Sequence, residues 1–425
     1  MKKFFRKLVL FLLKMMAKFR ISRYKGKIIA ITGSVGKTST KEAIYTVLNT
    51  QFKVKKSEKS MNTEFGLLLS ILDIESGYSS VMKWSLLLFK AFYHCLFRDH
   101  SEVLLLEFGV DKPRDMDFLL SVARPDISVM TNIAPVHLDE GQFTDEKHIF
   151  GEKRKMVDKM KKSGLAILNI DNPYLGYLAK ERGGKNTITF GIDEKADFYA
   201  TDFVQSIDGI SFVLNHRRKR YEVVSGVLGE HQVYVLIPAL ICASVMGMEI
   251  IDAISSLQRY SLPPGRMSII PGKNEATIID SSYNSSPEAL KAALKILKTV
   301  GEDRRKVAVI GNMNELGEKS KILHEKIGDI VQRYADILLA VGKDAKIIAK
   351  TAKSKGMNKE NVHVFNTAND AADFFQKKIQ KNDVILVKGS QNKVRLEKFV
   401  RELMANPEEA DTLLVRQEKV WQSKI

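Results

Sequence analysis

At 425 residues the chain is long enough for two or three domains with ordinary cores, and 44% hydrophobic with 28% charged residues excludes a largely disordered polymer. Only Cys95 and Cys242 occur, which excludes a disulfide framework or a zinc ribbon and fits a reducing, cytoplasmic compartment. The net charge of +17 does not by itself point to nucleic acid, because ten Lys/Arg and no Asp or Glu fall within residues 1–27, leaving +7 spread over mixed-sign segments.

Residues 1–26 carry the period of a basic amphipathic helix, with Phe4, Leu8, Phe11, Leu12, Met15 and Phe19 on one face and Lys3, Lys7, Lys14 and Lys18 opposite. The uncharged run Leu8 to Leu13 is far short of the ~20 residues that cross a bilayer, and no small-residue cleavage site follows. One reading lays the helix in the anionic lipid interface, a peripheral contact at the inner face of the plasma membrane. A second packs its apolar face on the protein, and a third makes it an uncleaved signal anchor. Aromatic and basic residues are segregated rather than interleaved, which argues against nucleic acid as a partner.

Ile28 to Glu42 reads as a β-branched strand, a tight loop bracketed by Gly33 and Gly36, and a helix opening near Thr38. This is a phosphate cradle: glycines let backbone N–H groups approach an oxyanion, and the helix N-terminus adds its positive end. Lys37 reaches the β/γ-phosphates, and Thr38 offers a hydroxyl to Mg²⁺. Ile31 stands where the first glycine of GxxxxGK[ST] would be, so the loop is the shorter T-G-S-V-G-K-T-S. In this form it resembles the Mur ligase family, the ATP-dependent amide-bond enzymes of peptidoglycan precursor synthesis. Thr40-Lys41-Glu42 continues it in the manner of the D-alanyl-D-alanine-adding member, although Val35 stands where the family commonly has Asn. The resemblance implies ATP and Mg²⁺ as cofactors, with Gly33, Ser34, Gly36, Lys37, Thr38 and Ser39 around the nucleotide.

Asn62-Thr63-Glu64-Phe65-Gly66 is similar to the family's N-x-[DE]-x-G, which implies a place for Asn62 beside the acyl substrate. Residues 79–100 read as an inserted helix with Trp84, Leu87, Leu88, Phe92, Cys95 and Leu96 in a stripe: core, a partner for the first helix, or a second lipid contact. The strand Val103 to Glu107 ends in a carboxylate, and Ile127 to His137 is a strand followed by an imidazole. Parallel α/β sheets gather ligands at strand C-termini, so Glu107 and His137 arrive with the phosphate loop as candidate Mg²⁺ ligands. Lys153 falls where the family has a carbamoylated lysine on Mg²⁺, with Lys155 two residues on as the alternative register or both as a solvated run. Asn169 and Asp171 match the family's N-x-D near the nucleotide.

Short β-type runs between 186 and 225 suggest a small antiparallel sheet flanking the main one. Gly229-Glu-His231-Gln232 sits where the family has G-x-H-N, with the amides replaced at Gln232 and Val235. Leu262-Pro-Pro-Gly265-Arg266 reads as a hinged linker. Beyond it strands and helices alternate, implying a doubly wound, Rossmann-like parallel sheet without G-x-G-x-x-G.

The expected organisation is α/β: a basic helix (1–26), a central ATP-binding domain with a parallel sheet (27–262) and a C-terminal Rossmann-like domain (263–425). Asp280-Ser-Ser-Tyr283-Asn284, Gly311-Asn312-Met-Asn-Glu315 with His324, and Lys388-Gly-Ser390 match family motifs at strand ends. The resemblance implies Arg266, Asp280, Tyr283 and Asn284 at the nucleotide, and Asn312, Glu315, Lys388 and Ser390 toward the amine. It also implies catalysis by Lys37, Glu107, His137 and Lys153 through an acyl phosphate, adding D-Ala-D-Ala or a similar amine to a cell-wall precursor peptide. No counterpart of the family's UDP-binding domain precedes Lys27, which leaves the substrate to be held differently or to carry no UDP. The rival function is a membrane-associated P-loop switch or scaffold that binds ATP without ligation.

Overall fold

The computed structural model describes residues 2–57, 64–75, 81–97, 99–135, 142–192, 196–314, 316–389, 394–417 and 421. The chain divides into two compact units, one of residues 1–203, 211–225 and 231–260, the other of 204–210, 226–230 and 261–425.

The first unit opens with α1 (Lys2–Ser22), then β1 (Lys27–Thr32), α2 (Lys37–Leu48), β2 (Val54–Lys56), α3 (Glu64–Leu72), α4 (Val81–Leu96) and β3 (Val103–Glu107). It continues through α5 (Asp115–Val122), β4 (Ile127–Met130), α6 (Glu146–Asp158), β5 (Leu165–Asn169), α7 (Pro173–Arg182) and β6 (Thr187–Gly191). After these come β7 (Phe198–Ser206), β8 (Gly209–His216), β9 (Lys219–Ser225), α8 (Val233–Val245) and α9 (Ile250–Leu257). The nine strands form one sheet in the order β2-β3-β1-β4-β5-β6-β7-β8-β9. From β2 to β7 each pair is parallel, so the C-terminal ends of β1, β3, β4 and β5 emerge on one edge. Two-residue connections join β7 to β8 and β8 to β9, which only antiparallel strands allow. The expected antiparallel strands thus continue the parallel sheet at its border, and the Thr187 run is a parallel member paired with β5. Ile28 to Ile31 are buried on both faces, as the continuous apolar run of an interior parallel strand requires.

The first helix does not pack through its predicted apolar stripe. It is held by the neighbouring one, Val9, Leu13 and Ala17, which are buried in the core with Leu68, Ala91 and Cys95. Leu8, Phe11, Leu12, Met15 and Phe19 are exposed; the Phe4 and Lys3 side chains lie outside those described. Arg20 fixes the end of α1, donating to Ile71 O at 2.8 Å and to Asp73 at 2.9 Å. The inserted helix divides its stripe the same way, burying Trp84, Ala91 and Cys95 and exposing Phe92 and Leu96.

The second unit contains β10 (Ser268–Pro271), β11 (Thr277–Ser281), α10 (Pro287–Gly301), β12 (Lys306–Gly311), α11 (Ser320–Val331), β13 (Ile337–Val341) and α12 (Ala345–Ser354). It closes with β14 (Val362–Phe365), α13 (Ala368–Phe375), β15 (Val384–Lys388) and α14 (Glu397–Leu403). The sheet order is β10-β11-β15-β12-β13-β14, parallel except for β10. β15 therefore returns to the middle, between β11 and β12, and brings Lys388 level with Ser281.

Candidate functional site

The loop after β1 is shaped by what its glycines permit. Gly33 has φ 154° and lies so close to β4 that a Cβ would meet Thr131 Oγ1 at 2.0 Å; Gly36 has φ 83° and ends the loop at the N-terminus of α2. Side chains are excluded at the first by contact and disfavoured at the second by backbone sterics. Ser34 ties the loop to the segment after β4: its N–H donates to Asn132 O at 2.7 Å, and its hydroxyl donates to Ala134 O at 2.9 Å. Thr131 Oγ1 donates to Val35 O at 2.6 Å from the same side. The loop is thus fixed with the first turn of α2, Lys37 to Ser39, at its mouth, and that turn's N–H groups lack intrahelical acceptors.

Lys37 folds back over the loop, its Nζ 2.9 Å from Gly33 O and 3.4 Å from Ser34 O. Thr38 donates its hydroxyl to Glu107 Oε2 at 3.0 Å, possible because β3 lies beside β1 with Glu107 opposite Ile31. Two hard oxygens therefore meet at the loop mouth, a donor set that suits Mg²⁺. Ser39 is half-buried, and its carbonyl accepts the Tyr260 hydroxyl at 3.1 Å. Behind Glu107 lies Lys41, fully buried, donating to Ser57 O at 2.7 Å and 3.9 Å from Glu107 Oε2. Burial lowers its pKa, with Glu107 opposing. In the sequence Lys41 belongs to the loop motif without a role of its own; its spacing one turn after Lys37 was the available signal.

Of the two lysines on α6, the geometry separates Lys153 from Lys155. Lys155 is half-exposed and paired with Asp117 at 2.7 Å and Glu152 at 2.8 Å. Lys153 is 1% exposed, with no hydrogen bond among the described residues. Burial, reinforced by the nearby Lys37 ammonium, lowers its pKa to about 7, against a smaller upward pull from Asp111, Glu152 and Asp115. Asp111, Asp115 and Glu152 were not singled out from sequence. Glu152 accepts from Met116 N at 2.9 Å, tying α6 to the first turn of α5.

Asn169 and Asp171 frame the next strand end. Asn169 donates to Thr131 O at 2.9 Å, and Asp171 accepts from the Tyr234 hydroxyl at 2.9 Å and from Ile192 N. Asn172, another residue missed from sequence, donates to Asn132 Oδ1 at 2.6 Å. A cleft of about 810 Å³ on the first unit, lined by Arg217 to Arg220, Asp197 and Ser244, contains none of the expected nucleotide residues.

In the second unit Asp280 and Lys388 lie at the ends of adjacent strands. Asp280 is fully buried; burial raises its pKa to about 6 against hydrogen bonds from Ser282. Lys388 donates to Ser281 Oγ at 3.1 Å and Asn284 O at 2.8 Å, and burial lowers its pKa to about 8 although Asp280 pulls it up. Arg266 lies over the Tyr283 ring at 4.4 Å, and Arg416, a further residue missed from sequence, donates to Tyr283 O at 2.6 Å. Asn312 turns its Oδ1 to the start of α12, accepting from Asp344 N at 3.0 Å and Ala345 N at 3.1 Å. His324 accepts from Met313 N at 3.2 Å and so braces that loop. Asn62, His137, Glu315 and Ser390 lie outside the described residues. Among the described residues no three His, Cys, Asp or Glu gather as a metal cluster.

Comparison with known proteins places this arrangement. The Mur ligase middle domain matches residues 31–243, and the Mur ligase glutamate ligase domain matches residues 265–391. The UDP-N-acetylmuramoyl-tripeptide--D-alanyl-D-alanine ligase of Bacillus subtilis is 27% identical over 396 residues, 93% of this chain and 79% of that protein. Its counterpart in Rickettsia prowazekii is 28% identical over 91% of this chain and 80% of its own length. Among solved structures, MurF of Acinetobacter baumannii superposes with a TM-score of 0.79 at 23% identity, covering 94% of this chain and 81% of that one, a likeness of fold. MurF ligase of Thermotoga maritima in complex with ADP has a TM-score of 0.72 at 25% identity, covering 95% and 84%.

Proposed function

Because the chain belongs to the Mur ligase family, we propose that it is an ATP-dependent carbon–nitrogen ligase that adds D-Ala-D-Ala or a similar amine to a cell-wall precursor peptide. The reaction would move a phosphoryl group from ATP to a substrate carboxylate, and attack by the amine would then release phosphate. The observation that carries this reading is the buried Lys153 amine, near enough to Lys37 for its charge to act on it, together with the Thr38–Glu107 pair at the mouth of the loop. A protein that only binds nucleotide has no use for such an amine.

Residues 27–262 serve as the nucleotide domain and 263–425 as the domain for the incoming amine. Gly33, Gly36 and Ser39 would present backbone N–H groups to the phosphates, Ser34 would hold the loop in shape for them through its bonds to Asn132 and Ala134, and Lys37 would neutralise their charge. Asn169 and Asp171 would border the nucleotide, and on the second unit the family's nucleotide motifs match Arg266, Asp280, Tyr283 and Asn284. The family motifs would give Asn62 a role with the acyl substrate and Asn312, Glu315, Lys388 and Ser390 a role with the amine. Thr38, Glu107, His137 and a carbamate on Lys153 would hold Mg²⁺, which when bound offsets negative charge on the transferred group. A carbamate forms when a neutral amine adds to CO₂ and loses a proton, and the depressed pKa of Lys153 keeps much of that amine neutral near pH 7. Residues 1–26 attach the protein peripherally to the inner face of the plasma membrane; among the described residues no helix is long and apolar enough to cross it.

The test is ATP-dependent phosphate release over a panel of amino acids and dipeptides, with and without UDP-muramoyl peptides. Turnover that requires both a carboxylate and an amine supports the reading. Hydrolysis indifferent to both sinks it.

A further inference from the structure

We propose that α1 and α4 together form one membrane-docking face that seats the chain on an anionic lipid surface. This rests on the peripheral attachment proposed for residues 1–26 and extends it to a second helix. Of the 19 large apolar side chains exposed among the described residues, eleven fall on α1, on α4 or on Phe97 just beyond it. Phe89 is 73% exposed and Leu86 70%, values far above what a monomer's scattered surface apolar residues need to explain.

The two exposed stripes adjoin. On α1 the helical period carries Leu12, Met16 and Phe19 into Arg23, whose guanidinium donates to Leu96 O at 2.9 Å. On the opposite flank Lys14 lies over the Phe118 ring of α5 at 4.5 Å. So α4 borders the apolar flank of α1, and the Lys7, Lys14 and Lys18 flank faces away from α4. At the other end Arg6 sits over Phe65, and Phe65 lies against Trp84 with ring centroids 5.9 Å apart. The helices therefore run side by side in the same direction, and their exposed stripes make one surface two helices wide.

The chemistry of the face selects its occupant. Neither α1 nor α4 contains an Asp or Glu, and the only buried cation of α1 among the described residues, Arg20, is matched by Asp73 and Asp99 from other elements. An apolar strip edged by lysines that form no ion pair among the described residues suits the acyl–headgroup boundary of an anionic leaflet, where a helix lies in plane. A second copy would bring two cationic faces together, which Coulomb repulsion disfavours.

The experiment floats the full-length chain with vesicles of phosphatidylcholine alone and of phosphatidylcholine mixed with phosphatidylglycerol. Flotation is expected with the anionic vesicles and is lost in high salt. Replacing Lys7, Lys14 and Lys18 by Gln should weaken partitioning roughly a hundredfold. Replacing Phe89 and Phe92 by Ser should weaken it roughly tenfold or more, and a Phe89→Trp variant should shift its emission to the blue on anionic vesicles. If the chain floats but the α4 serine variants float equally and the Phe89→Trp emission does not shift, the two-helix face is overturned while attachment through residues 1–26 stands. If the full chain does not float, both fall. If sedimentation instead reveals a dimer that Phe89→Ser dissociates, the face is a contact between copies and the lipid assignment is wrong.

Discussion

Burial and the neighbouring Lys37 disfavour the ammonium form of Lys153 and bring its pKa down to about 7. Ligation should therefore decline as pH falls through about 7, because the ammonium cannot add CO₂; a pH–rate profile at saturating ATP checks this. The sign for stability follows from the same shift. The folded pKa lies below the unfolded value of 10.5, so the unfolded chain binds more protons between about 7 and 10.5 and stability rises with pH across that window. Lys153→Met should abolish ligation yet raise stability at neutral pH in CO₂-free buffer, by on the order of a few kcal/mol, measured by urea unfolding. A destabilised Lys153→Met would mean that the amine has a partner in the fold. Lys37→Ala and Glu107→Gln should each lower turnover by at least about a hundredfold; Lys37→Ala should leave the unfolding midpoint little changed, since Lys37 is not a core residue, whereas Glu107→Gln should lower it by taking the nearby carboxylate from the buried Lys41. Wild-type turnover in either would remove the phosphate loop from the mechanism.

At the scale of the element, two glycines of the first unit should respond in opposite directions. Gly33→Ala forces a Cβ into Thr131 Oγ1, breaking the clasp that joins the loop to β4. It should cost roughly 1–3 kcal/mol and abolish nucleotide binding, read by ADP titration calorimetry. Gly151 sits inside α6 with nothing within 4 Å of its Cβ position. Gly151→Ala should therefore stabilise by up to about 1 kcal/mol, seen as a raised melting temperature with ADP binding unchanged. Binding that survives Gly33→Ala would show that the loop tolerates a displaced β4 segment. The register of the loop and the succession of strands in the second unit were legible in the sequence because both are local. Glycine and lysine spacing marks the loop, and alternating β and α runs mark the doubly wound sheet. The period of α1 points to one apolar face, but a helix lying between solvent and core has two apolar flanks. Which flank is buried depends on Ile71, Asp73 and Asp99 arriving from elsewhere to receive Arg20.

Each unit of the whole molecule has its own sheet and its own core, the first built around β1, β3 and β4, the second around β11, β12 and β15. Trp84 reports on the first and Trp421, near the Arg395 and Arg416 guanidinium groups, on the second. With Trp84→Phe and Trp421→Phe variants measured in parallel, urea unfolding should give two fluorescence midpoints, and ADP should raise the one that Trp84 reports. Coincident midpoints in both variants would mean that the units unfold as one cooperative block.

By itself the sequence determined the build of the loop, because a glycine-bracketed turn from strand to helix is made of residues adjacent in the chain and its requirements are stated by their identities alone. It also determined the succession of strands and helices, since periodicity is a local property. Only the tertiary structure decided which of Lys153 and Lys155 has its pKa lowered and which has it raised. The two differ by two helical positions, and the difference arises from burial and from Lys37, more than a hundred residues earlier in the chain. The same holds for Lys41, Asn172 and Arg416, whose partners come from other elements. For the first helix too, the sequence supplied two apolar flanks and a basic one, and packing against α3, α4 and α5 chose the flank that remains outside.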